Sequence, residues 1–345
     1  MAEPQKVAPL DPDRFGRSAG AGAGTAATER EKRNPGLPFD ADLLAGLRIN
    51  RSGVERRTAS LPGRRSVKKE WQLAWLVKAI TCIDLTTLAG DDTPGRVHRL
   101  CAKARQPVRP DLLAALGLGE RRITVGAVCV YHAMVEPAVQ ALAGSGIPVA
   151  AVSAGFPAGL SPFELRVKEI EASTAAGARE IDIVINRGHV LTGNWRALYD
   201  EMRAFRTACG PAHVKAILGT GDLASFRNVA RAAMVCMMAG ADFIKTSTGK
   251  ESVNATLPVS LVMLRMIRHY QEMTGWRIGF KPAGGISAAK DVLLYQILMK
   301  EELGLPWLQP DLFRVGASSL LGDIERQLEH GITGRYSAAH RHPLA

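Results

Sequence analysis

The sequence has no long hydrophobic segment and no hydrophobic leader. No apolar run approaches the roughly 20 residues that a membrane-spanning helix needs. The chain opens with MAEPQKVAPLDPDRFGRSAG, which is small and polar where a signal peptide would be apolar. These absences predict a cytoplasmic protein with no membrane partner.

Cysteine is scarce and follows no pattern. An odd number of scattered cysteines does not fit a disulfide framework, and the absence of C-x-x-C spacing does not fit a zinc site. We therefore expect reduced thiols and no structural metal. The five residues are Cys82, Cys101, Cys129, Cys209 and Cys236.

Aromatic residues make up only 6% of the chain, whereas its formal net charge is +11. Residues 1–70 hold 14 basic and 9 acidic side chains, so much of the excess lies there. Nucleic-acid binding is one interpretation, but few aromatic residues are present in this region to stack on bases. A solvated basic tail is favoured, and a small anionic substrate would also benefit from positive potential.

Composition divides the chain into three parts. Residues 1–37 are rich in Gly, Ala and Pro and are predicted to be disordered, and residues 38–68 read as a short helix followed by a basic linker. Residues 1–69 are therefore expected to form a flexible extension, residues 70–330 the folded domain, and residues 331–345 a tail.

Short apolar segments alternate with helical ones from about Glu70 onward. One helical segment opens with Ser161 and Glu164, a capping-box pattern. Eight near-continuous apolar strands, each followed by a helix, predict an α/β fold, a single (β/α)8 TIM barrel. A doubly wound open sheet is the alternative, although no GxGxxG follows the first strand. The predicted strands are 79–85, 123–130, 149–154, 180–186, 214–219, 242–247, 277–283 and 312–318.

Two lysines end neighbouring predicted strands, in DFIKTS and RIGFKPA. In such a barrel the active site lies at the carboxyl ends of the strands. Burial and the nearby charge of Lys281 would lower the pKa of Lys245, and a neutral amine attacks a carbonyl carbon to form an iminium ion. Asp182, at the end of the fourth strand, is placed to relay protons, with a lysine salt bridge as its alternative role.

Glycine-rich turns follow the last two strands, in PAGGIS and VGASSLLGDI. Small residues expose backbone N–H groups, and a helix N-terminus favours an anion. Together these turns predict a phosphate site. The TSTGK stretch after the sixth strand adds Lys250, which either reaches the substrate or is a solvated loop lysine.

Five strings in this order, CIDLTTL, EIDIVIN, GADFIKTSTGK, GFKPAGGI and RVGASSLL, resemble the deoxyribose-phosphate aldolase family over residues 78–328. The resemblance implies reversible cleavage of 2-deoxy-D-ribose 5-phosphate through a lysine Schiff base, with no metal or cofactor. It implies a phosphorylated sugar as partner and leaves a homodimer open. The implied catalytic residues are Lys245, Lys281 and Asp182; the substrate-binding residues are Asp84, Thr86, Cys129, Thr248 and Lys250; and the phosphate-binding residues are Gly284, Gly285, Gly316, Ser318 and Ser319.

The sequence departs from the family pattern at Gly219, where an acidic residue is usual. Its loss removes a partner expected for Lys215 or a catalytic lysine, which bears on the rate more than on the reaction type. Some members also supply a C-terminal tyrosine to the site, and Tyr336 is the candidate here. Two rival functions stay open: a phosphate-binding barrel isomerase with a carboxylate base, and an impaired barrel that acts as a binding protein.

Overall fold

The computed structural model of the chain describes residues 33–342, so residues 1–32 and 343–345 lie outside it. Most of the stretch predicted to be disordered therefore lies outside the described residues. None of the helices within residues 33–342 is both long and apolar enough to cross a membrane.

Eight parallel strands form one sheet in the order β7-β6-β5-β4-β3-β2-β1-β8. Bridges from Phe280 to Phe313 and from Ala283 to Gly316 join the two ends of the sheet. The sheet is therefore a closed barrel, which confirms the predicted TIM barrel and excludes the doubly wound alternative. The strands are β1 Ile83–Thr86, β2 Ala127–Tyr131, β3 Val149–Ser153, β4 Glu180–Val184, β5 His213–Ile217, β6 Phe243–Lys245, β7 Gly279–Lys281 and β8 Val315–Ala317.

Helices cover the outside of the barrel, and outward-facing strand residues such as Ile181 and Ile183 are fully buried in the core against them. This explains why the strands read as almost unbroken apolar runs. The helices are α1 Ala41–Gly46, α2 Arg51–Ala59, α3 Leu61–Arg64, α4 Lys69–Thr81, α5 Pro94–Arg105, α6 Pro110–Ala115, α7 Val135–Ala141, α8 Phe163–Ala175, α9 Arg187–Leu191, α10 Trp195–Ala208, α11 Phe226–Met238, α12 Leu257–Thr274, α13 Ala289–Leu303 and α14 Leu320–Thr333.

Some predicted boundaries differ from the structure. Residues 79–81 end α4 instead of opening β1, and residues 123–126 precede β2 as irregular chain. A short apolar run does not distinguish a buried helix end from a strand, which accounts for both differences. The predicted capping box is also absent, because α8 begins at Phe163 after Pro162, with no side-chain cap.

The basic stretch predicted to be a linker contains helices α2 and α3. Leu44, Val54 and Leu61 from the first three helices are buried in the main core. Arg57 pairs with Glu301 of α13 at 2.6 Å. Residues 41–64 are thus packed onto the barrel, because a few apolar side chains and the ion pairs of Arg57 with Glu301 and Glu302 join them to residues that lie far away in sequence.

Candidate active site

The inner face of the barrel carries the predicted catalytic side chains. Alternate residues of a strand point to the same face, and the register places Lys245 beside Lys281 and Asp182 beside Lys215 on neighbouring strands. Asp84 of β1 shares this interior and is fully buried. Four predicted site residues from four strands therefore converge on one buried cluster.

Asp182 joins the two predicted catalytic lysines. Lys245 Nζ and Lys281 Nζ each donate a hydrogen bond to the same oxygen, Asp182 Oδ2, and both distances are 2.7 Å. Lys281 also donates to Asp84. A continuous path of hydrogen bonds thus leads from Lys245 through Asp182 to Lys281, and such a path can carry a proton.

A second layer of charge lies below these residues, toward the amino ends of the strands. Lys215 Nζ contacts Glu180 at 2.6 Å and both Asp84 and Asp182 at 3.1 Å. Arg314 Nη1 donates to Asp84 at 2.6 Å, and Arg314 Nη2 donates to Glu180 at 2.8 Å. Each cation of this layer therefore has at least two carboxylate partners.

The complete cluster contains more basic groups than acidic ones. Three carboxylates (Asp84, Glu180 and Asp182) face four basic groups (Lys215, Lys245, Lys281 and Arg314). Unpaired charge is costly in a buried site. The electrostatic free energy of the cluster is lowest when one of the four basic groups is neutral, because the positive and negative charges are then equal in number.

The electrostatic environment selects Lys245 as that neutral group. Burial is the largest cause that lowers the pKa of Lys245; the charge of Lys281 adds to this effect, while Asp182 opposes it. Burial also acts on Lys281, but Asp182 and Asp84 outweigh it and raise the pKa of Lys281. The pKa values of Lys215 and Arg314 are raised by their carboxylate neighbours against the effect of burial.

The carboxylates of the cluster stay ionised for the reciprocal reason. Burial alone would raise the pKa of Asp182, but Lys215, Lys245 and Lys281 hold it well below its usual range. The same competition lowers the pKa of Asp84. It lowers the pKa of Glu180 to about 2, chiefly through Arg314 and Lys215 against the cost of burial.

The inner face of β2 and β3 is apolar. Cys129, Ala150 and Val152 form a small buried cluster, against which the partly exposed Leu88, Tyr131 and Phe156 pack. The rings of Tyr131 and Phe156 meet edge to face at 5.7 Å. Burial raises the pKa of the Cys129 thiol, so this group stays neutral. The wall near the lysines therefore consists of small, uncharged side chains.

The loop after β6 contributes two of the predicted substrate-binding residues. Thr248 is nearly buried, and Lys250 is exposed with its Nζ donating to the carbonyl of Leu88 at 3.2 Å. Thr86 ends β1 and donates to the carbonyl of Asp84 at 2.7 Å. These three residues lie at the carboxyl ends of their strands, above the charged cluster.

The predicted phosphate turns lie at the same end of the barrel. Gly284 has a φ of +81°, and an added Cβ would lie 2.6 Å from the side chain of Asn254. Gly285 has open space where a Cβ would be. Ser318 and Ser319 are exposed before α14, and Ser319 makes no side-chain cap. At Gly316, an added Cβ would lie 2.9 Å from Cβ of Ala283 and 3.3 Å from Cε of Lys281, so the small size of this glycine makes room for both residues.

The glycine at position 219 does not leave Lys215 without a carboxylate partner. Lys215 already contacts the three carboxylates of Asp84, Glu180 and Asp182. Gly219 has a φ of +65°, and an added Cβ would lie 2.8 Å from Cδ of Arg187. The nearby carboxylate is that of Glu251, whose Oε1 lies 3.3 Å from the same point. The space of a side chain at position 219 is therefore filled by Arg187 from α9.

Tyr336 lies away from the cluster. Helix α14 begins next to the strand ends at Leu320 and runs 14 residues, which corresponds to roughly 21 Å toward the opposite end of the barrel. Tyr336 follows that helix, is 66% exposed and stacks on His330 at 4.1 Å. Nearby, His342 contacts Glu329 at 2.7 Å, which holds the segment after α14 against that helix.

Sequence reasoning missed part of this site. The sequence patterns assign no role to Glu180 and Arg314, and they name Lys215 only as a strand residue and as a possible partner of the acidic residue that Gly219 replaces. The signal was the two-residue period: Glu180 precedes Asp182 by two positions and Arg314 precedes Gly316 by two, so each shares a strand face with a predicted site residue. Within the described residues, no group of three His, Cys, Asp or Glu side chains is arranged to hold a metal ion.

Comparisons with known proteins find one matching family and several similar proteins. The model of the DeoC/LacD family of aldolases matches residues 78–299. A deoxyribose-phosphate aldolase from Homo sapiens is 57% identical over 314 residues, which cover 90% of this chain and 99% of the human protein. The one from Mus musculus is 58% identical over 312 residues, with 90% of this chain and 98% of the mouse protein covered.

Solved structures share the fold. The crystal structure of a putative deoxyribose-phosphate aldolase from Toxoplasma gondii matches with a TM-score of 0.64 at 22% identity, over 77% of this chain and 98% of that one. At this level of identity the likeness concerns the fold alone.

Proposed function

The chain belongs to the DeoC/LacD family of aldolases, and from this premise we propose that it is a carbon–carbon lyase acting on 2-deoxy-D-ribose 5-phosphate. The reaction reversibly yields D-glyceraldehyde 3-phosphate and acetaldehyde. Membership of this family does not favour the isomerase or binding-protein alternatives. The catalytic residues that we propose are Lys245, Lys281 and Asp182.

One observation carries the assignment of Lys245. It is the only basic group of the buried cluster whose pKa is lowered, whereas its three basic neighbours have raised values. A neutral amine has a lone pair of electrons, and it needs this lone pair to attack a carbonyl carbon. Lys245 is also the cluster lysine that retains some exposure, at 3%, so a substrate at the mouth of the barrel reaches it first.

The proposed reaction begins when the Lys245 amine adds to the C1 aldehyde of the open-chain sugar. The carbinolamine loses water to give an iminium ion, which withdraws electrons from C2. The C3 hydroxyl then loses its proton, the C2–C3 bond breaks, and glyceraldehyde 3-phosphate departs. The remaining enamine takes a proton at C2, and water hydrolyses the resulting iminium ion to release acetaldehyde and the free amine.

Asp182 and Lys281 are proposed to accept and donate the protons that move in these steps. Asp182 Oδ2 touches both lysine amines at 2.7 Å, so it can receive a proton from the Lys245 adduct while Lys281 remains charged beside it. Lys281 also favours deprotonation of Lys245 through its positive charge. Asp84, a predicted substrate-binding residue, is here proposed to hold Lys281 and Lys215, because three cations occupy its carboxylate.

The phosphate is proposed to bind at the turns after β7 and β8. Gly284 and Gly285 open one turn, and Ser318 and Ser319 precede the free amides at the start of α14. A helix N-terminus attracts an anion through its unpaired N–H groups. Lys250 adds a flexible cation on the adjacent loop, and Thr248 lies beside it. Thr86 and Cys129 complete the proposed contacts with the sugar.

The small apolar wall suits the two-carbon fragment. Cys129, Ala150 and Val152 provide no charge that would compete with the enamine, and Tyr131 and Phe156 shield it from solvent. Exclusion of water protects a reactive intermediate from side reactions. The mouth is thus proposed to separate an apolar side for acetaldehyde from a polar side for the phosphate.

The direct experiment measures acetaldehyde release from 2-deoxyribose 5-phosphate. We expect release by the wild-type chain and none by Lys245→Ala, because no other lysine of the cluster is neutral. The matched control is Lys290→Ala on the exposed surface of α13, for which the rate should stay within about twofold of wild type. A folded wild-type chain that releases no acetaldehyde would refute the proposed function.

Assembly and location are also proposals. Leu160, Phe163, Leu165 and Leu191 are exposed large apolar residues, and the carbonyl of Ala158 accepts a hydrogen bond from Arg187, which brings their two segments together. An exposed apolar patch favours association, so a homodimer through this patch is proposed and would appear in light scattering.

A cytoplasmic location is supported by the five unpaired cysteines.

A further inference from the structure

We propose that Glu251 is a positioning residue that holds the loop carrying Thr248 and Lys250 in the conformation that binds the phosphorylated end of the substrate. The inference rests on the proposed function and assigns a role to a residue that the sequence patterns did not single out. Glu251 lies six residues after Lys245, between β6 and α12.

The carboxylate of Glu251 is buried and fully engaged with its own loop. Its side chain is 3% exposed. Oε2 accepts hydrogen bonds from the Thr248 hydroxyl at 2.8 Å, from the Thr248 amide at 3.0 Å and from the Gly249 amide at 3.2 Å. Oε1 accepts from the Thr248 amide at 3.1 Å. One carboxylate therefore organises consecutive residues of the turn.

The hydrogen bonds continue to Lys250. The backbone amide of Lys250 donates to the Thr248 hydroxyl oxygen at 3.0 Å. That hydroxyl is thus fixed as a donor to Glu251 and an acceptor from Lys250. The direction in which Lys250 leaves the loop follows from these two bonds, although its own side chain does not touch Glu251.

Arg187, which begins α9 after β4, links the same carboxylate to the loops after β3 and β5. Its Nη1 lies 3.7 Å from Glu251 Oε1, and its Nη2 donates to the carbonyl of Ala158 at 3.3 Å. The stem of Arg187 fills the space beside Gly219, so a larger residue there would displace it. Glu251 consequently connects the β6 loop with the loops after β3, β4 and β5, all at the mouth of the barrel.

The chemistry of these contacts requires a carboxylate and not merely a polar group. All of the loop groups that reach Glu251 are N–H or O–H donors. A glutamine side chain of the same size has one acceptor oxygen and one NH2 donor. In Glu251→Gln, an NH2 in place of Oε1 would face the Thr248 amide and Arg187, and the negative charge that attracts Arg187 would be lost, so the loop would be held less firmly.

The test compares ligands that do and do not carry phosphate. For Glu251→Gln, we expect the inhibition constant of glycerol 3-phosphate and the Michaelis constant for the sugar phosphate substrate to rise between about tenfold and a hundredfold. Acetaldehyde has no phosphate, so the rate at which borohydride traps its adduct on Lys245 should stay within about twofold of wild type. The matched control is Glu272→Gln, an exposed glutamate on α12, which should change neither quantity.

Glu251→Asp keeps both acceptor oxygens but is shorter by one methylene group, which lengthens the hydrogen bonds to Thr248 and Gly249. Its glycerol 3-phosphate affinity should therefore lie below that of wild type and above that of Glu251→Gln. If Glu251→Gln fails to fold, the proposal is tested by the affinity of Glu251→Asp for glycerol 3-phosphate. An affinity equal to that of wild type overturns the proposal. Equal losses for phosphate binding and acetaldehyde trapping would also overturn it, because they indicate a general structural role. A wild-type chain that releases no acetaldehyde instead refutes the proposed function itself.

Discussion

At the scale of single residues, the central feature is a competition among four basic groups for three carboxylates. The sequence predicted that burial and the charge of Lys281 together lower the pKa of Lys245. In the structure, burial has the larger effect and Lys281 the smaller one. The carboxylate partners are distributed so that Lys215, Lys281 and Arg314 remain charged. Lys245 is left to carry the neutral amine.

This competition predicts the effect of Lys281→Met. Three carboxylates would then face three basic groups, so Lys245 would become protonated to balance them. We expect the acid limb of the kcat/KM profile to move to higher pH by about one to three units. The rate should therefore fall most near neutral pH and recover toward high pH, and a pH–rate profile measures it.

Lys290→Met, on the exposed face of α13, is the control for this prediction and should leave the acid limb in place. An acid limb that is equally unmoved in Lys281→Met would show that Lys281 does not influence the protonation of Lys245.

Arg314 and Glu180 provide a second prediction. Arg314→Met removes a buried cation that contacts both Glu180 and Asp84 and leaves them with Lys215 and Lys281, so the free energy of unfolding should fall by up to about 3–5 kcal/mol. The double variant Arg314→Met/Glu180→Leu removes both members of the pair and should recover part of that loss. Urea denaturation measures both changes. The double variant should lose less unfolding free energy than Arg314→Met and Glu180→Leu lose together. An equal or larger loss would show that Arg314 and Glu180 are not a coupled pair.

Asp182, Lys245 and Lys281 were identifiable from sequence because they belong to the predicted strand ends at which a barrel carries its active site. Glu180 and Arg314 lie deeper in the barrel, where a charge is unexpected. Their role depends on partners from β1, β5 and β8 that come together only in the closed barrel.

At the scale of elements, the segment before the barrel differs most from expectation. Helix α2 is rich in arginine and buries only Val54 and Thr58, so its sequence resembles that of a solvated linker. Its helical state depends on tertiary contacts with α12 and α13, such as the pair between Arg57 and Glu301. Local sequence alone contains no sign of these contacts.

Truncation tests the contribution of this segment. A chain starting at Arg33 should keep the activity and thermal unfolding midpoint of the full chain, because it retains Arg33 and Asn34, which bind Asp242. A chain starting at Glu70 loses Leu44, Val54 and Leu61, each of which contributes about 1.5–3 kcal/mol when buried. It should unfold at a clearly lower temperature. Equal midpoints for the two chains would show that residues 33–69 do not stabilise the barrel.

At the scale of the whole molecule, the sequence predicted the number and order of the strands and the closure of the barrel. It did so because each strand is buried on both faces and each crossover contains a helix. Strand beginnings were less accurate: residues 79–81 belong to α4, since apolar residues also fill a buried helix. The side-chain contacts of Glu251 and Arg187 could not be predicted, because they join loops separated by more than 60 residues.

The buried carboxylates make stability depend on pH. The pKa values of Asp84, Asp182 and Glu180 are lowered in the folded chain, that of Glu180 from 4.5 to about 2. Their stabilisation is present above the unfolded values and is lost as pH falls through the folded ones. The thermal midpoint should therefore drop steeply below about pH 4.5. A midpoint that stays constant from pH 7 to about pH 2.5 would contradict this prediction.

The most direct test of the account is to trap the covalent adduct. The protein is incubated with acetaldehyde, reduced with borohydride, digested, and its peptides are sequenced by mass spectrometry. The account predicts N-ethyl-lysine at Lys245, with Lys215, Lys250 and Lys281 unmodified. Labelling of another lysine instead of Lys245, or no labelling of a folded and active chain, would contradict the claim that Lys245 is the neutral, nucleophilic amine.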